Sequence, residues 1–429
     1  MSSHGNTYSY ESDSNSDIED SRHLNQASPA LNHQKDSPRP LIDSVRNAWQ
    51  TRSNPSYDLL SSGTRADTEK HPHSVQMALT VVSAPRFRRY VVVYLSLFLL
   101  CLATWKWILY PRLQERNTLL RALDPATAEE SGGWFGSSSP PALDGLILMK
   151  NLNPELIPDA LGESDGQTKS RKRLVIVGDV HGCKDALLAL LDQVEFSAKE
   201  GDHLIFTGDI INKGPDSSGV VDLAREKSAS CVRGNHEDRI LLLRHEMERT
   251  KALDGPQKGD KQIYSSKQLR ERELARSLSK KQVEWLEQCP VILNIGRIPT
   301  MGQVVVVHGG LVPGLELEEQ DPASVMTMRT IDVDTHLPSP ESNGLSWAKM
   351  FDKHQSILFK SLQTAKEDPL SRTITAVYGH DAKTGLKIRT YTKGLDSGCV
   401  KGGKLTALVI EDGGKQSLVQ VRCRDYTSG

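Results

Sequence analysis

Asp179 and His181 stand two residues apart, directly after the aliphatic run Leu174–Val177 and between Gly178 and Gly182. A hard carboxylate and an imidazole at that spacing can reach one metal ion from the end of a buried strand. Alone the pair says little, because strands commonly end in polar loops. Four further stretches repeat the arrangement. Leu204–Thr207 leads into Gly208 and Asp209, then Asn212, Lys213 and Gly214. Cys231 and Val232 lead into Arg233, Gly234, Asn235, His236 and Glu237. Val304–Val307 leads into His308, Gly309 and Gly310, and Thr373–Tyr378 into Gly379, His380 and Asp381. Five apolar runs, each delivering Asp, Asn or His beside glycine, predict a dinuclear metal site of oxygen and nitrogen donors without thiolates.

The order Gly-Asp-x-His-Gly, Gly-Asp-x-x-x-x-Gly, Gly-Asn-His-Glu, His-Gly-Gly and Gly-His resembles that of the calcineurin-like metallophosphoesterases, over about residues 171–421. Gly394–Cys399 and Gly402–Leu408 are similar to the diadenosine-tetraphosphatase-like branch of that family. With an apolar segment ahead of it, the layout is similar to that of fungal vacuolar-membrane, zinc-dependent endopolyphosphatases. The resemblance implies an α/β fold, a metallophosphoesterase sandwich of two mixed β-sheets flanked by helices. It implies two divalent ions per site (Zn, Mn or Co, with Zn favoured). Asp179, His181 and Asp209 would hold the first ion. Asp209 would bridge to the second, held with Asn235, His308 and His380. A hydroxide between the ions would attack phosphorus in line, and no protein nucleophile is needed. Asp209 and His236 take catalytic roles on this reading, and Arg233, Lys213 and Arg329 are candidate phosphate-binding residues.

Two departures from the family bear on substrate. Protein phosphatases of the family carry Arg at the position of Lys213 and Asp at the position of Asn212. That Asp keeps the histidine matching His236 protonated, so that it can protonate a leaving alkoxide. Asn212 carries no charge and cannot raise the imidazole pKa in that way. A phosphate leaving group, with a second pKa near 6, needs a proton much less than an alkoxide does. The site is therefore expected to prefer phosphoanhydrides over phosphomonoesters, with inorganic polyphosphate, cut internally, as the leading substrate. Dinucleoside polyphosphates are the alternative, and a protein serine/threonine phosphatase is third. Lys213, Arg239, Arg244, Lys383, Lys387 and Arg389 are candidates for a basic track along a long polyanion. No nucleic-acid partner is expected.

The elements that position these residues follow from pattern. Leu187, Leu190, Leu191 and Val194 fall on one helical face, Val220, Val221 and Leu223 suggest a second helix, and His236 to about Glu248 a third, with Ile240–Leu243 inward or partly so. Residues 250–268 read as a polar loop. Ser279 and Gln282 form a capping box for a short helix ending before Pro290. Leu405–Ile410 and Ser417–Val421 flank Glu411–Gly414 as a terminal hairpin.

The chain has 429 residues and a formal net charge of −1. Its six cysteines are scattered, with no close pair of zinc-finger or redox type. They read mainly as buried small hydrophobes, with Cys399–Cys423 the one bridge entertained for a lumenal domain. Residues 1–85 are polar and Pro-rich and read as a disordered cytosolic tail. The motifs at 54–60 around Tyr57 would offer contacts for sorting adaptors. Tyr90–Tyr110 is apolar apart from Lys106, and about 21 helical residues reach roughly the 30 Å of a bilayer core. Arg86, Arg88 and Arg89 precede it, and Arg112, Arg116 and Arg121 follow, so charge alone does not orient it. The resemblance implies a single-pass vacuolar-membrane protein with a lumenal catalytic domain at 171–425. Residues 111–170, with Gly132–Pro141, read as a stalk.

Overall fold

The computed structural model of the chain describes residues 84–123, 145–158, 172–253, 255, 264–333 and 335–427. The expected tail lies outside them up to residue 83, as do its tyrosine motifs and the Gly132–Pro141 segment. An apolar helix, Pro85–Thr104 (α1), passes through a π-turn at Trp105–Leu109 into Tyr110–Ala122 (α2). By length and composition the continuous helix Pro85–Ala122 can cross a membrane. Its apolar face is exposed, as a lipid-facing helix requires.

Two sheets carry the catalytic half. The strands are β1 (Met149–Asn151), β2 (Arg173–Val177), β3 (Asp202–Phe206), β4 (Ser230–Cys231), β5 (Ile292–Ile298), β6 (Gly302–Val306), β7 (Thr330–Ile331), β8 (Pro338–Ser339), β9 (Leu345–Ser346), β10 (Ile374–Tyr378), β11 (Lys387–Ile388), β12 (Thr392–Gly394), β13 (Lys404–Glu411) and β14 (Lys415–Arg422). One sheet has the order β14-β13-β2-β3-β4 and the other β1-β5-β6-β10-β12-β11; a small third sheet is β8-β7-β9. Both large sheets are mixed. β2, β3 and β4 run parallel, with β13 antiparallel to β2. β6, β10 and β12 run parallel, with β5 antiparallel to β6.

The alternation of the strands builds the layers. Leu174 and Ile176 of β2 meet Val304, Val306 and Val377 of the opposite sheet in a shared core, together with Leu408 and Ile410. Val175 and Val177 point the other way, onto helices Lys184–Gln193 (α3) and Ser217–Glu226 (α4). Helices Asn235–Arg249 (α5), Ser266–Ser277 (α6) and Lys280–Glu287 (α7) extend that layer. On the far side, Val305, Val307, Ala376 and Tyr378 pack on Trp347 and Phe351 of the helix Trp347–Thr364, with the short helix Pro322–Thr327 beside them. The expected helices and the Ser279–Gln282 capping box are present, as is the β13–β14 hairpin.

Four expectations are corrected. Leu242 is 62% exposed rather than inward, because its neighbours Ile240 and Leu241 take the buried face of α5. The span 250–268 ends in the start of α6, which has its own capping box at Ser265 and Gln268. Parts of the span read as a stalk are held by the catalytic half. β1 pairs in parallel with β5, and α2 lays Leu119 and Ala122 on the Trp347 core, with Glu115 ion-paired to Lys349. Cysteine is the fourth: Cys231–Cys289 and Cys399–Cys423 are both disulfides, and only Cys183 is a buried free thiol. Partners 58 residues apart are brought together by packing that spacing does not announce.

Candidate metal centre

At several of the strand ends a bent backbone delivers the side chain to one place. His181, Asp209, Asn212, Lys213 and His380 all have positive φ, between 49° and 71°. Such conformations are costly for side-chain-bearing residues and cluster at functional sites. A buried carboxylate holds the second turn: Glu237 accepts from the N–H groups of Asp209 (2.7 Å), Ile210 (2.9 Å), Ile211 (3.1 Å) and Gly234 (3.0 Å). Gly379 lies so close to Asp179 that any Cβ would overlap its carboxylate, which explains the absence of a side chain there.

Asp209 is at the centre. Its Oδ2 is 3.6 Å from His181 Nε2 and its Oδ1 is 3.2 Å from His308 Nε2. Two overlapping donor groups share it: His181, Asp209 and His236 on one side, Asp209, His308 and His380 on the other. Asp179 Oδ2 lies 4.0 Å from His181 Nε2, and its carboxylate accepts from His380 N–H at 3.1 Å. Asn235 Oδ1 is 3.1 Å from His308 Nε2. All six sequence-derived ligand candidates are thus in one cluster, five of them buried and Asn235 half-buried.

The outer hydrogen bonds fix which ring nitrogen is free. His181 Nδ1 faces Ile211 O (3.2 Å) and His308 Nδ1 faces Thr207 O (2.8 Å). His380 Nε2 faces Thr327 O (2.9 Å). A carbonyl only accepts, so each of these nitrogens carries a proton; at His181 and His380 the opposite nitrogen keeps its lone pair, whereas His308 Nε2 faces Asp209 Oδ1 and Asn235 Oδ1. Burial holds His181 and His380 at about 3, neutral and able to ligate. At His308 burial also opposes charge, but Asp209, Asp179 and Glu237 outweigh it and push the imidazole up to about 10. The carboxylates therefore call for positive charge at the centre. Two neutral imidazoles, a third whose Nε2 proton a metal ion would replace, carboxylates and an amide oxygen, converging on a site that favours cations, fit two divalent ions.

His236 sits at the edge, with Nε2 3.8 Å from Asp209 Oδ2 and Nδ1 2.9 Å from Asn212 Nδ2. The amide orientation is set independently, since Asn212 Oδ1 accepts from Lys213 N–H at 2.8 Å. Nδ2 therefore donates to His236 Nδ1, leaving the proton on Nε2. Burial holds this imidazole down at about 4.

Above the cluster opens a cleft of about 290 Å³. Lys213 and Arg329 line it, with Lys213 Nζ 2.8 Å from His181 Nε2 and Arg329 donating to His380 O (3.3 Å) and Pro340 O (2.9 Å). Arg233 is placed differently: its side chain is 7% exposed, with one guanidinium nitrogen 3.7 Å from Asp238 Oδ1, and it is not among the residues lining this cleft. Of the other basic-track candidates, Lys383 lines the cleft, whereas Arg244 is spent on Glu248 and the carbonyls of Ala275 and Leu278, and Arg239 pairs with Glu271. Sequence reasoning missed Asp396, buried in the cleft wall next to Asp179, and Lys401. Their signal was present in the Gly394–Leu408 motif, but no aliphatic run precedes either residue to mark a strand end.

The calcineurin-like phosphoesterase family model matches residues 172–389, half of the chain. The zinc-dependent endopolyphosphatase of Saccharomyces cerevisiae is 28% identical over 65% of this chain and 92% of its own length. A symmetrical bis(5'-nucleosyl)-tetraphosphatase of Erwinia tasmaniensis is 28% identical over 58% of this chain and 97% of its own. A solved structure described as a candidate diadenosine tetraphosphatase is 29% identical, covering 65% of this chain and 99% of that one with a TM-score of 0.46. With the strand-end donors, the two mixed sheets and the match over half its length, this chain belongs to the calcineurin-like phosphoesterases, hydrolases that use a pair of divalent metal ions.

Proposed function

We propose that this chain hydrolyses phosphoanhydride bonds of inorganic polyphosphate, cutting internally, as a dinuclear, zinc-favouring enzyme. The observation that carries the reading is the Asn212–His236 pair. With Nδ1 already accepting a hydrogen bond from an amide, protonating His236 would set two donors against each other. The imidazole stays neutral and offers its Nε2–H as a hydrogen-bond donor, not a transferable extra proton. A departing phosphate end needs no more than that; a serine or threonine alkoxide does.

Asp179, His181 and Asp209 would hold one ion, and Asp209, Asn235, His308 and His380 the other. Ions bound there neutralise phosphoryl oxygens and lower the pKa of water. The chain's own residues do the rest. Lys213 and Arg329 bring cationic charge to the phosphoryl oxygens, His236 orients the leaving side, and Glu237 keeps the Asp209 turn from moving.

The two disulfides support a catalytic domain in an oxidising compartment, since cytosolic thiols are kept reduced. With the long apolar helix, that favours a single-pass chain, its catalytic half in the lumen of the vacuole. A second reading, dinucleoside polyphosphate hydrolysis, is favoured by a groove of about 500 Å³ that continues from Asn235 over Leu242, Leu243 and Met326, with room for a nucleoside.

The test uses the detergent-solubilised full chain with Zn²⁺, Mn²⁺, Co²⁺ or Mg²⁺ added separately. Long-chain polyphosphate should shorten on a sizing gel with little free phosphate. No shortening with any ion, while diadenosine tetraphosphate is cleaved, would move the assignment to the second reading.

A further inference from the structure

Four cationic side chains line the cleft, and they fall into two pairs. Lys213 and Arg329 lie against the ligand residues His181 and His380. Lys383 and Lys401 make no contact with a ligand residue; both are exposed, Lys401 lies within electrostatic reach of Lys213, and among the described residues neither side chain has a hydrogen bond or ion pair. The two acidic residues of the cleft outside the ligand set are engaged. Asp381 Oδ1 accepts from Thr384 N–H (3.2 Å), and buried Asp396 accepts from Gly398 N–H (3.0 Å) beside Asp179.

Both of these lysines ride on fixed loops. Lys383 is in the turn after His380, closed by Thr384 and Gly385 N–H groups on Asp381 O, each at 3.0 Å. Lys401 is in a loop closed by Gly403 N–H and Lys404 N–H on Gly398 O and Ser397 O, also at 3.0 Å each. The Cys399–Cys423 disulfide and a Tyr426 N–H bond to Val400 O (3.0 Å) tie that loop to the C-terminal segment. Fixed loops remove the backbone share of the ordering cost of presenting two unpaired ammonium groups, which suits a site that meets a repeated anion.

We propose that Lys383 and Lys401 form a distal phosphate subsite, binding units of an inorganic polyphosphate chain beyond the one at the ligand cluster and so selecting long chains over short ones. The inference rests on the polyphosphate reading above. Lys213 and Arg329 serve the reacting phosphoryl group; the second pair serves the part of the chain that does not react. Binding energy gained there is available only to a substrate long enough to span both positions.

The experiment compares initial rates of the solubilised full chain, loaded with its preferred ion, on long-chain polyphosphate and on tripolyphosphate. Variants are Lys383→Ala, Lys401→Ala, the double variant, and the double Arg replacement. Each Ala change should raise the long-chain KM about threefold to fivefold, the scale of an exposed ion pair. The KM for tripolyphosphate should move less, so the long-to-short ratio of kcat/KM falls. The salt dependence of the long-chain KM should weaken, and the Arg variant should restore most of the loss. An unchanged ratio in the double Ala variant, in a preparation whose wild type cleaves long chains, overturns the subsite alone. A wild type that cleaves polyphosphate with none of the ions overturns the reading beneath it, and the subsite with it.

Discussion

Replacing Asn212 by Asp should convert His236 from a neutral donor into a general acid. The geometry tolerates the change. Asp accepts positive φ almost as readily as Asn, and its carboxylate can keep the hydrogen bond from Lys213 N–H. What changes is the other bond. In place of an amide donor 2.9 Å from Nδ1, the imidazole meets a carboxylate that accepts from Nδ1–H. A unit charge pair at about 4 Å, at an effective dielectric constant of about 20, is worth about 4 kcal/mol. At about 1.4 kcal/mol per pKa unit, that raises His236 from about 4 to about 7. At neutral pH a group protonated in about one molecule per thousand becomes protonated in about half. General acids contribute about 10²- to 10⁴-fold where the leaving group needs the proton. The assay is kcat/KM on a phosphoserine peptide against kcat/KM on long-chain polyphosphate. The ratio should rise at least about tenfold. The new monoesterase activity should be present below about pH 7 and fall above it, as the imidazolium loses its proton. Adding His236→Ala should erase the gain. If NMR shows His236 titrating near 7 in the Asn212→Asp variant and the ratio is unmoved, proton supply does not decide substrate class here.

Gly379→Ala should push the Asp179 carboxylate aside; elemental analysis should find fewer than two ions per chain, with activity down at least about 100-fold. Asp209→Asn removes the charge shared by both donor groups, so both ions should bind more weakly by isothermal titration while the circular dichroism spectrum is kept. His203 is buried against Ser230 Oγ (2.9 Å) and held at about 4 by burial, below its unfolded value near 6.5. The unfolded chain therefore binds the extra proton first. Stability is intact above about pH 6.5 and falls by up to about 3 kcal/mol as pH drops towards 4. His203→Gln should flatten that part of the urea-midpoint profile. Serine at both Cys399 and Cys423 should cost about 2–4 kcal/mol of stability by the same measurement.

Much of the site was legible because its signals are local. A strand must end somewhere, and Asp179, His181, Asp209, His308 and His380 each follow an aliphatic run by one or a few residues. Helices α3, α4 and α7 were equally readable, since their apolar spacing and the Ser279 cap act within one turn. Arg233 shows the limit. It follows a strand end just as Asn235 does, yet its side chain is buried beside Asp238, on the first turn of α5, which nothing in the local spacing announces. Lys401 shows the converse: nothing near it in sequence marks a strand end at the site, yet the β13 crossover and the Cys399–Cys423 bridge place its loop on the cleft.

By itself, then, the sequence determined the chemistry: which residues could bind metal, that an amide stands where the resemblance places the partner of His236, and that an apolar span precedes the catalytic half. The tertiary structure decided which cations reach the cleft, which cysteines pair, and that Met149–Asn151 belongs to a sheet and not to a stalk. The physical reason is range. Periodicity, caps and strand ends are fixed by interactions over a few residues. The approach of segments distant in sequence depends on which faces bury against each other once the two sheets have packed.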